Sequence, residues 1–356
     1  MKNKLRKSII FANAINEGLE IALSENKKVY VMGLGVPDPK GIFGTTINLQ
    51  KKYGKERVMD MPLSENGMTG VAIGTALGGL RPVITHQRVE FALLSIEQIV
   101  NQAAKWYYMN AGQLSVPLVI RLIIGRGWGQ GPQHAQSLES WFSHIPGLKV
   151  VSPSTPFDAK GLLISSIKDE NPVIFFENRW LHNTFGKVPQ TSYSIPLGKA
   201  KIVKKGKDLT IISHSYMLLE ALKCYNFFKE RGVNIEVLDL RTLRPLDKIS
   251  IVNSVKKTGR ALVIDNGWLQ YGISSEILSV IIEDAFKFLK SKPVRIGIED
   301  VPCPSTRALS NYYYPRTIDI AKKINSMLKL KINLDPLKFS PDMHLDIPDP
   351  NFKGPF

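Results

Sequence analysis

Two side chains in this 356-residue sequence could carry acid–base chemistry. Glu65 stands in "MPLSENGMTGVAIGTALGG", between a short apolar run and a segment rich in glycine and alanine. His134 ends the glycine-rich loop "GRGWGQGPQH". A carboxylate can hold or share a proton, and an imidazole can change its charge near neutral pH. A helix start also favours a carboxylate through the helix dipole, so spacing alone favours a structural role for Glu65.

Other motifs with a known mechanism are missing from the sequence. It contains no P-loop, HExxH or GxSxG pattern, and "GLGVPDPKG" after the first predicted strand lacks GxGxxG. The two cysteines, Cys224 and Cys303, lie far apart without metal-ligand or CxxC spacing, so we expect reduced thiols. The remaining candidates for chemistry are Glu65, the segment "HQRVEFALL" and His134.

The segments that must position these side chains alternate between β-rich runs and helical patterns. Near-continuous apolar strands separated by helices predict an α/β fold with a mostly parallel sheet covered on both faces. In such sheets the segments after the carboxyl ends of the strands line the ligand crevice. Glu65 and His134 both fall in such segments, which is consistent with one shared site.

Length and an apolar content of 44% predict two domains. Strand and helix patterns run through residues 1–190, which we expect to form the first α/β domain. Proline, glycine and polar residues without helical period predict a linker at 191–205. The alternation resumes over residues 206–330, a second and smaller α/β domain. Residues 331–356 are rich in proline and predict an extended tail, either disordered or laid against a partner.

The charge of +16 could indicate nucleic acid, an anionic surface or an acidic partner. Its basic residues occur in short groups without interleaved aromatics, which favours a basic solvated surface and no nucleic-acid partner. No apolar run reaches the roughly 18–20 residues that span a bilayer, and the start "MKNKLRKSII" lacks a signal-type apolar core. We therefore expect no membrane partner and a cytoplasmic location.

Four runs carry a family resemblance. In order, they are "PLSENGMTGVAIGTALGGLRPV", "IEQIVNQAAKWYYMNAGQLSVPLVIR", "QHAQSLESWFSHIPGLKVVSPSTPFDAKGLLISSIKDENPVIFFEN" and "VLDLRTLRPLD". The chain resembles the beta subunit of the thiamine diphosphate-dependent decarboxylating component of 2-oxo acid dehydrogenases, such as those acting on pyruvate and branched-chain acids. This resemblance implies a pyrimidine-binding thiamine diphosphate domain followed by a transketolase C-terminal-like domain.

The resemblance also implies roles for single residues. In the family, the glutamate matching Glu65 hydrogen-bonds the cofactor's aminopyrimidine and favours its imino tautomer, whose nitrogen then removes the thiazolium proton. Phe91 matches an aromatic that packs on the aminopyrimidine, and Gln87 is a further cofactor-binding candidate. His134 matches a histidine that orients the substrate carboxylate and the acyl acceptor. Positions that hold a potassium ion in relatives, largely through backbone oxygens, match Leu118, Ser166, Asp169 and Asn171.

A missing motif indicates a partner. The family's magnesium-diphosphate motif begins GDG, and this chain contains no GDG. The resemblance therefore implies that an alpha subunit holds most of the Mg²⁺ and diphosphate site, in an α2β2 heterotetramer. Relatives also bind a lipoyl acyltransferase through a basic domain, which a chain at +16 matches poorly. That partner is a possibility that the sequence leaves open.

Several polar residues depart from the family pattern. If side chains alternate along "HQRVEFALL", then His86, Arg88 and Glu90 face the aminopyrimidine or the substrate. The later loop adds Arg126 and Trp128. Such groups could bind a phosphate, a carboxylate or a sugar hydroxyl, so the substrate need not be pyruvate.

Three hypotheses follow. The leading one is a beta subunit that, with an alpha subunit, decarboxylates a 2-oxo acid and transfers the acyl group. The second is a transketolase-like subunit that moves a two-carbon or acyl unit to a sugar or aldehyde, and the third is a non-catalytic scaffold. The joint presence of Glu65, Phe91 and His134 favours the two enzyme hypotheses.

Overall fold

The computed structural model describes residues 8–127, 129–340, 343–349 and 352, which divide into two compact units. The described residues of the first unit are 8–125 and 141–197, and those of the second lie within 126–140 and 198–352. The glycine-rich segment 126–140, which the sequence placed in the first domain, thus packs with the second unit. Trp128 lies outside the described residues.

The strands of the first unit follow the predicted apolar runs. They are β1 (Ile9–Ile10), β2 (Val29–Met32), β3 (Val58–Met59), β4 (Arg81–His86), β5 (Val119–Ile124), β6 (Lys149–Val151), β7 (Val173–Asn178) and β8 (Phe185–Gly186). Six of them pair in parallel in the order β6, β7, β5, β4, β2, β3, while β1 pairs antiparallel with β8. The continuous burial of β5 and β7 is typical of a parallel sheet covered by helices.

Helices up to residue 181 cover this sheet. They are α1 (Phe11–Glu25), α2 (Leu49–Tyr53), α3 (Glu65–Leu77), a 3₁₀-helix (Val89–Ser95), a π-helix (Gln98–Ala103), α4 (Trp106–Met109), α5 (Glu139–His144), α6 (Pro156–Lys168) and a second 3₁₀-helix (Arg179–Leu181). Helix α1 packs against α6, and α3 packs against β4. None of the helices in the described ranges has both the length and the apolar character to cross a bilayer.

One predicted feature near the site is wrong. The alternation assumed along "HQRVEFALL" ends with β4 at His86, because Val89–Ser95 forms a 3₁₀-helix. The turn that starts this helix is closed by Phe91 N–H, which donates to the Arg88 carbonyl at 3.2 Å. Glu90 and Phe91 therefore lie on a helix and not on successive faces of a strand.

The second unit contains a smaller sheet. The strands of this unit are β9 (Lys201–Lys204), β10 (Leu209–Ser213), β11 (Ile235–Asp239), β12 (Thr242–Arg244), β13 (Ala261–Trp268) and β14 (Val294–Ile298), and β12 is not part of the smaller sheet. Five pair in the order β14, β13, β10, β11, β9, with only β9 antiparallel to its neighbour. Strand β9 lies within the segment expected as a linker, where it adds an edge strand to the sheet.

The helices of the second unit complete the α/β pattern. They are α7 (Met217–Lys229), α8 (Lys248–Thr258), α9 (Ile273–Ala285), a 3₁₀-helix (Phe286–Phe288), α10 (Arg307–Ser310), α11 (Thr317–Leu328) and a 3₁₀-helix (Asp335–Leu337). Both units thus have mostly parallel sheets flanked by helices, which confirms the predicted fold class. Cys224 and Cys303 are free thiols, both buried.

The described part of the tail lies against its own chain. We call residues 343–349 the C-terminal strap. The guanidinium of Arg316 donates to three strap carbonyls at 2.9 to 3.2 Å, and the side chain of Asn311 accepts from the Leu345 amide at 2.9 Å. Asp346 is fully buried. The strap therefore has partners within the second unit, whereas the sequence suggested disorder or contact with another subunit.

Candidate functional site

Three loops at the carboxyl edge of the first sheet are joined by hydrogen bonds. The carboxylate of Asp60, after β3, accepts from the amides of Gly35 and Met61, both at 2.9 Å. The amide group of Gln87, after β4, donates to the Leu34 carbonyl at 2.8 Å. The loops after β2, β3 and β4 are therefore fixed relative to one another. They form the edge at which an α/β sheet binds its ligand.

Gly33 allows the loop after β2 to lie close to the backbone of β4. A Cβ atom at residue 33 would lie 2.4 Å from the carbonyl oxygen of Thr85 in β4. Any side chain there would displace the loop after β2 from β4. Glycine is thus required by packing at this position.

Glu65 is the first residue of α3 and is half-buried. The preceding Ser64 makes no side-chain cap, and the dipole of α3 favours a negative charge at this first helical position. Helix α3 also packs against the 3₁₀-helix Val89–Ser95, which carries the half-buried Phe91. The structure therefore brings together the elements that carry Glu65, Gln87 and Phe91.

Buried polar atoms near this edge lack partners within the described part of the chain. They are Oγ1 of Thr69, Nε2 of His86 and Oγ of Ser95. Thr69 lies one turn after Glu65, so both occupy one face of α3. Ser95 ends the 3₁₀-helix that packs on α3. Buried polar groups in native proteins usually have a protein or water partner, so these three atoms are available to a bound polar ligand or to water.

His86 belongs to the sheet face that α3 covers. The hydroxyl groups of Tyr30 in β2 and Thr75 in α3 are 2.7 Å apart, and Tyr30 pairs in register with Pro82. His86 lies four residues beyond Pro82 on the same strand and therefore on the same face. Burial lowers the pKa of His86 to about 4, so its imidazole is neutral at pH 7.

A buried ion pair supports the edge from within the sheet. Arg121 in β5 and Glu177 in β7 form two hydrogen bonds, at 2.5 and 2.9 Å, and neither side chain is exposed. Burial, the largest single effect, acts to raise the pKa of Glu177, but the charge of Arg121 and the hydrogen bonds and charges around the carboxylate together lower this pKa below its ordinary value. Arg121 also donates to the hydroxyls of Thr45 and Thr85. The sequence signal for this network was an arginine inside the apolar run "PLVIRLII", which our sequence reasoning did not use.

His134 is exposed and belongs to the second unit. Its loop begins at Arg126, whose guanidinium carbon lies 4.2 Å from the centre of the Tyr314 ring. Beyond His134, the sequence reasoning missed Glu139, a fully buried carboxyl group. Burial raises the pKa of Glu139 to about 7, although the charge of His214 acts in the opposite direction. A shared site for Glu65 and His134 stays a prediction.

The predicted potassium ligands lie in the first unit. The carbonyls of Leu118 and Ser166 each accept one backbone hydrogen bond, at 2.9 and 3.3 Å. The Asp169 carbonyl accepts from Arg81 at 3.0 Å, and the Asp169 carboxylate accepts from the Asn171 amide at 2.9 Å. A carbonyl oxygen has two lone pairs, so each retains one that could bind a cation. The donor chemistry fits K⁺, and the site stays a prediction.

Comparisons with known proteins cover both units. Residues 7–183 match the transketolase pyrimidine-binding domain family, and residues 198–320 match the transketolase C-terminal domain family. The chain is 40% identical over 320 residues to the beta subunit of the mitochondrial pyruvate dehydrogenase E1 component of Pisum sativum, covering 89% of each chain. It is 39% identical over 323 residues to the human counterpart, covering 89% of this chain and 90% of that one.

A solved structure has a similar fold. It is a split-gene transketolase described as an inactive beta4 tetramer, with a TM-score of 0.75 and 22% identity. The match covers 91% of this chain and 100% of that one. At this level of identity the similarity supports the fold alone.

The expectation of a cytoplasmic location is wrong. The similar pyruvate dehydrogenase subunits, including those of Pisum sativum, Bos taurus and Homo sapiens, are named as mitochondrial. The expectation depended on the missing apolar span and signal core. Those features bear on membrane insertion and secretion, and they do not distinguish the cytoplasm from an organelle interior.

Proposed function

The chain belongs to the family of the beta subunits of the pyruvate dehydrogenase E1 component, and from this premise we propose that Glu65 and His134 serve a thiamine diphosphate-dependent decarboxylation of a 2-oxo acid. The chain is the beta subunit of a thiamine diphosphate-dependent 2-oxo acid dehydrogenase. The acyl group that remains after decarboxylation passes to an acceptor.

The observation that carries the proposal is the place of Glu65. It is a half-buried carboxylate at the start of α3, on the sheet edge formed by the loops after β2, β3 and β4. The helix dipole stabilises its negative charge there. Glu65 can therefore hold a proton on a ring nitrogen of a bound heterocycle without losing its own stabilisation.

The surrounding residues fit a thiamine diphosphate aminopyrimidine. When bound, this cofactor supplies the carbon nucleophile and the electron sink that decarboxylation requires. The half-buried Phe91 offers an aromatic face for stacking on the ring. Thr69, His86 and Ser95 contribute buried polar atoms that lack partners in the described residues. Gln87 holds the loop after β2 in place and keeps its amide oxygen available for the cofactor.

We assign His134 a role in binding and orienting the substrate. An exposed imidazole at the end of a glycine-rich loop can donate a hydrogen bond to a carboxylate or exchange a proton near neutral pH. In this role it orients the 2-oxo acid and assists transfer of the acyl group.

Partners and metals complete the proposal. An alpha subunit would hold the diphosphate group and Mg²⁺, in an α2β2 tetramer with this chain. Backbone carbonyls of Leu118, Ser166 and Asp169, with Asn171, would hold K⁺ as a structural ion. A lipoyl acyltransferase is one acceptor that the assembled enzyme could use.

Calorimetric titration of thiamine diphosphate with Mg²⁺ tests this proposal. We expect weak binding to the chain alone and tight binding once the alpha subunit is added. Glu65→Ala should weaken binding in the mixture, whereas Glu56→Ala, which removes an exposed carboxylate, should not. Absence of binding in the mixture would contradict the assigned cofactor and favour a scaffold role.

A further inference from the structure

Two buried arginines lie at the carboxyl edge of the first sheet. Arg88 follows β4 by two residues, and Arg179 follows β7 directly. Strands β4 and β7 each pair in parallel with β5, so their carboxyl ends meet at one edge. Each arginine is 7% exposed. Two cationic side chains are therefore buried on the edge that also carries Glu65.

Both guanidinium groups converge on the ring of Phe43. The Cζ atom of Arg88 lies 5.1 Å from the ring centre, and that of Arg179 lies 4.8 Å from it. Phe43 has a φ of 49°, in the left-handed region that a bulky residue adopts only where its surroundings impose it. The ring thus holds two planar cations close together.

Burial disfavours the charged forms of both arginines, and the two positive charges also repel each other. Burial, together with the positive charge of Arg88, lowers the pKa of Arg179 to about 10. Burial also lowers the pKa of Arg88, an effect that Glu90 partly offsets. Arg88 donates a hydrogen bond to the Gln87 carbonyl, an uncharged acceptor, at 2.8 Å. A cation–π contact recovers less free energy than the burial of an ion costs.

We propose that Arg88 and Arg179 form an anion-binding subsite for a carboxylate or phosphate group of the substrate, beyond the carboxylate that every 2-oxo acid carries. Guanidinium groups bind such anions through two parallel hydrogen bonds. An anion held by both arginines also offsets their mutual repulsion. The assignment to the substrate rests on the proposed function, because Arg88 directly follows Gln87 and precedes Phe91, the candidate cofactor contacts.

Titration of the full chain with inorganic phosphate tests the subsite without any turnover. We expect binding that Arg88→Gln and Arg179→Gln each weaken by about ten- to hundredfold, the loss typical of a charged hydrogen bond. The control is Arg231→Gln. It removes an exposed arginine whose Cζ atom lies 3.6 Å from the centre of the Phe227 ring. No binding by the unmodified chain, or equal binding by all variants, would overturn the proposal.

Lysine variants keep the test decisive if a glutamine variant fails to fold. Arg88→Lys and Arg179→Lys retain the buried charge but lose the planar fork of two donors. Each should fold and bind phosphate more weakly than the unmodified chain. Unchanged phosphate affinity in both would contradict recognition by paired guanidinium groups.

The complex with the alpha subunit identifies the source of the anion. 2-Oxoglutarate and 2-oxopentanoate have equal carbon numbers, but only the first has a distal carboxylate. If the anion belongs to the 2-oxo acid, kcat/KM should favour 2-oxoglutarate, and each glutamine variant should reduce this preference about ten- to hundredfold. If it belongs to the acceptor, a phosphorylated aldose should accelerate turnover only with both arginines present.

The outcomes separate the subsite from the proposed function. No preference for either anionic substrate would overturn the assignment of the subsite to the substrate. Failure of the complex to decarboxylate any 2-oxo acid would count against the proposed function. The phosphate titration would still decide whether Arg88 and Arg179 bind an anion.

Discussion

Gly127 packs directly against the backbone of Asp346 within the second unit. A Cβ atom at residue 127 would lie 2.0 Å from the Asp346 carbonyl oxygen, and the Gly127 amide donates to the Tyr314 hydroxyl at 2.7 Å. Gly127 is the second residue of the loop that carries His134, and Asp346 belongs to the C-terminal strap. The strap, which lies beyond the family matches, therefore supports the loop of a candidate catalytic residue.

Gly127→Ala should disturb this contact. Gly127 has a φ of +63°, so alanine would add backbone strain as well as a clash with Asp346. We expect a loss of about 1–3 kcal/mol in the free energy of unfolding and a lower turnover of the complex. Gly129→Ala is the matched control, because Gly129 has a φ of +70° but its nearest neighbour is 3.6 Å away. Equal losses in both variants, measured by denaturant unfolding, would show that contact with the strap does not stabilise this loop.

Glu65→Gln should impair chemistry and leave the fold intact. An amide keeps the size of the side chain but cannot hold a proton on the cofactor ring. We expect turnover of the complex to fall by at least about 100-fold, the scale of general acid–base catalysis. Glu56→Gln, at an exposed position, should have normal turnover. Near-normal turnover of Glu65→Gln would exclude the assigned role.

His134→Ala should affect acyl transfer more than cofactor binding. The imidazole is assigned to substrate and acceptor, so single-turnover transfer should slow by roughly 100-fold while thiamine diphosphate affinity changes little. His144→Ala is the control, because His144 is also exposed and lies close by in the sequence. Parallel losses in transfer and affinity would show that His134 acts on the cofactor site instead.

The buried His86 should make the free energy of unfolding depend on pH. Its folded pKa of about 4 lies below the ordinary value of 6.5, so the unfolded chain takes up a proton first as pH falls. Stability should therefore decrease from pH 6.5 to pH 4, by roughly 3 kcal/mol for this residue. His86→Phe should lose less stability over this window, as measured by denaturant unfolding at pH 7 and 4. If His86→Phe lost as much stability between pH 7 and 4 as the unmodified chain does, His86 would not be buried as a neutral imidazole.

Arg121→Met should destabilise the first unit strongly. It leaves the Glu177 carboxylate buried without its ion-pair partner, which costs about 3–5 kcal/mol. The double variant with Glu177→Leu should recover most of this loss in denaturant unfolding. Lys52→Met, which breaks the exposed pair with Glu20, should change stability little. A comparably small effect of Arg121→Met would contradict the buried network.

The sequence alone determined the fold class and the main candidate residue. Apolar strand runs and helical periods are local signals, since each depends on residues a few positions apart. They predicted parallel sheets and placed Glu65 between β3 and α3. The long motifs around Glu65 then pointed to the family, which the comparisons confirm.

Only the tertiary structure decided which distant residues meet. Arg88 and Arg179 converge on Phe43 because the three loops that carry these residues lie at one edge of a parallel sheet. The order of the strands in that sheet cannot be inferred from the local periodicity of the sequence. In the same way, the strap reaches Gly127 across more than two hundred residues of chain. Local sequence patterns specify strands and helices, whereas contacts between loops depend on how the whole sheet is ordered and packed.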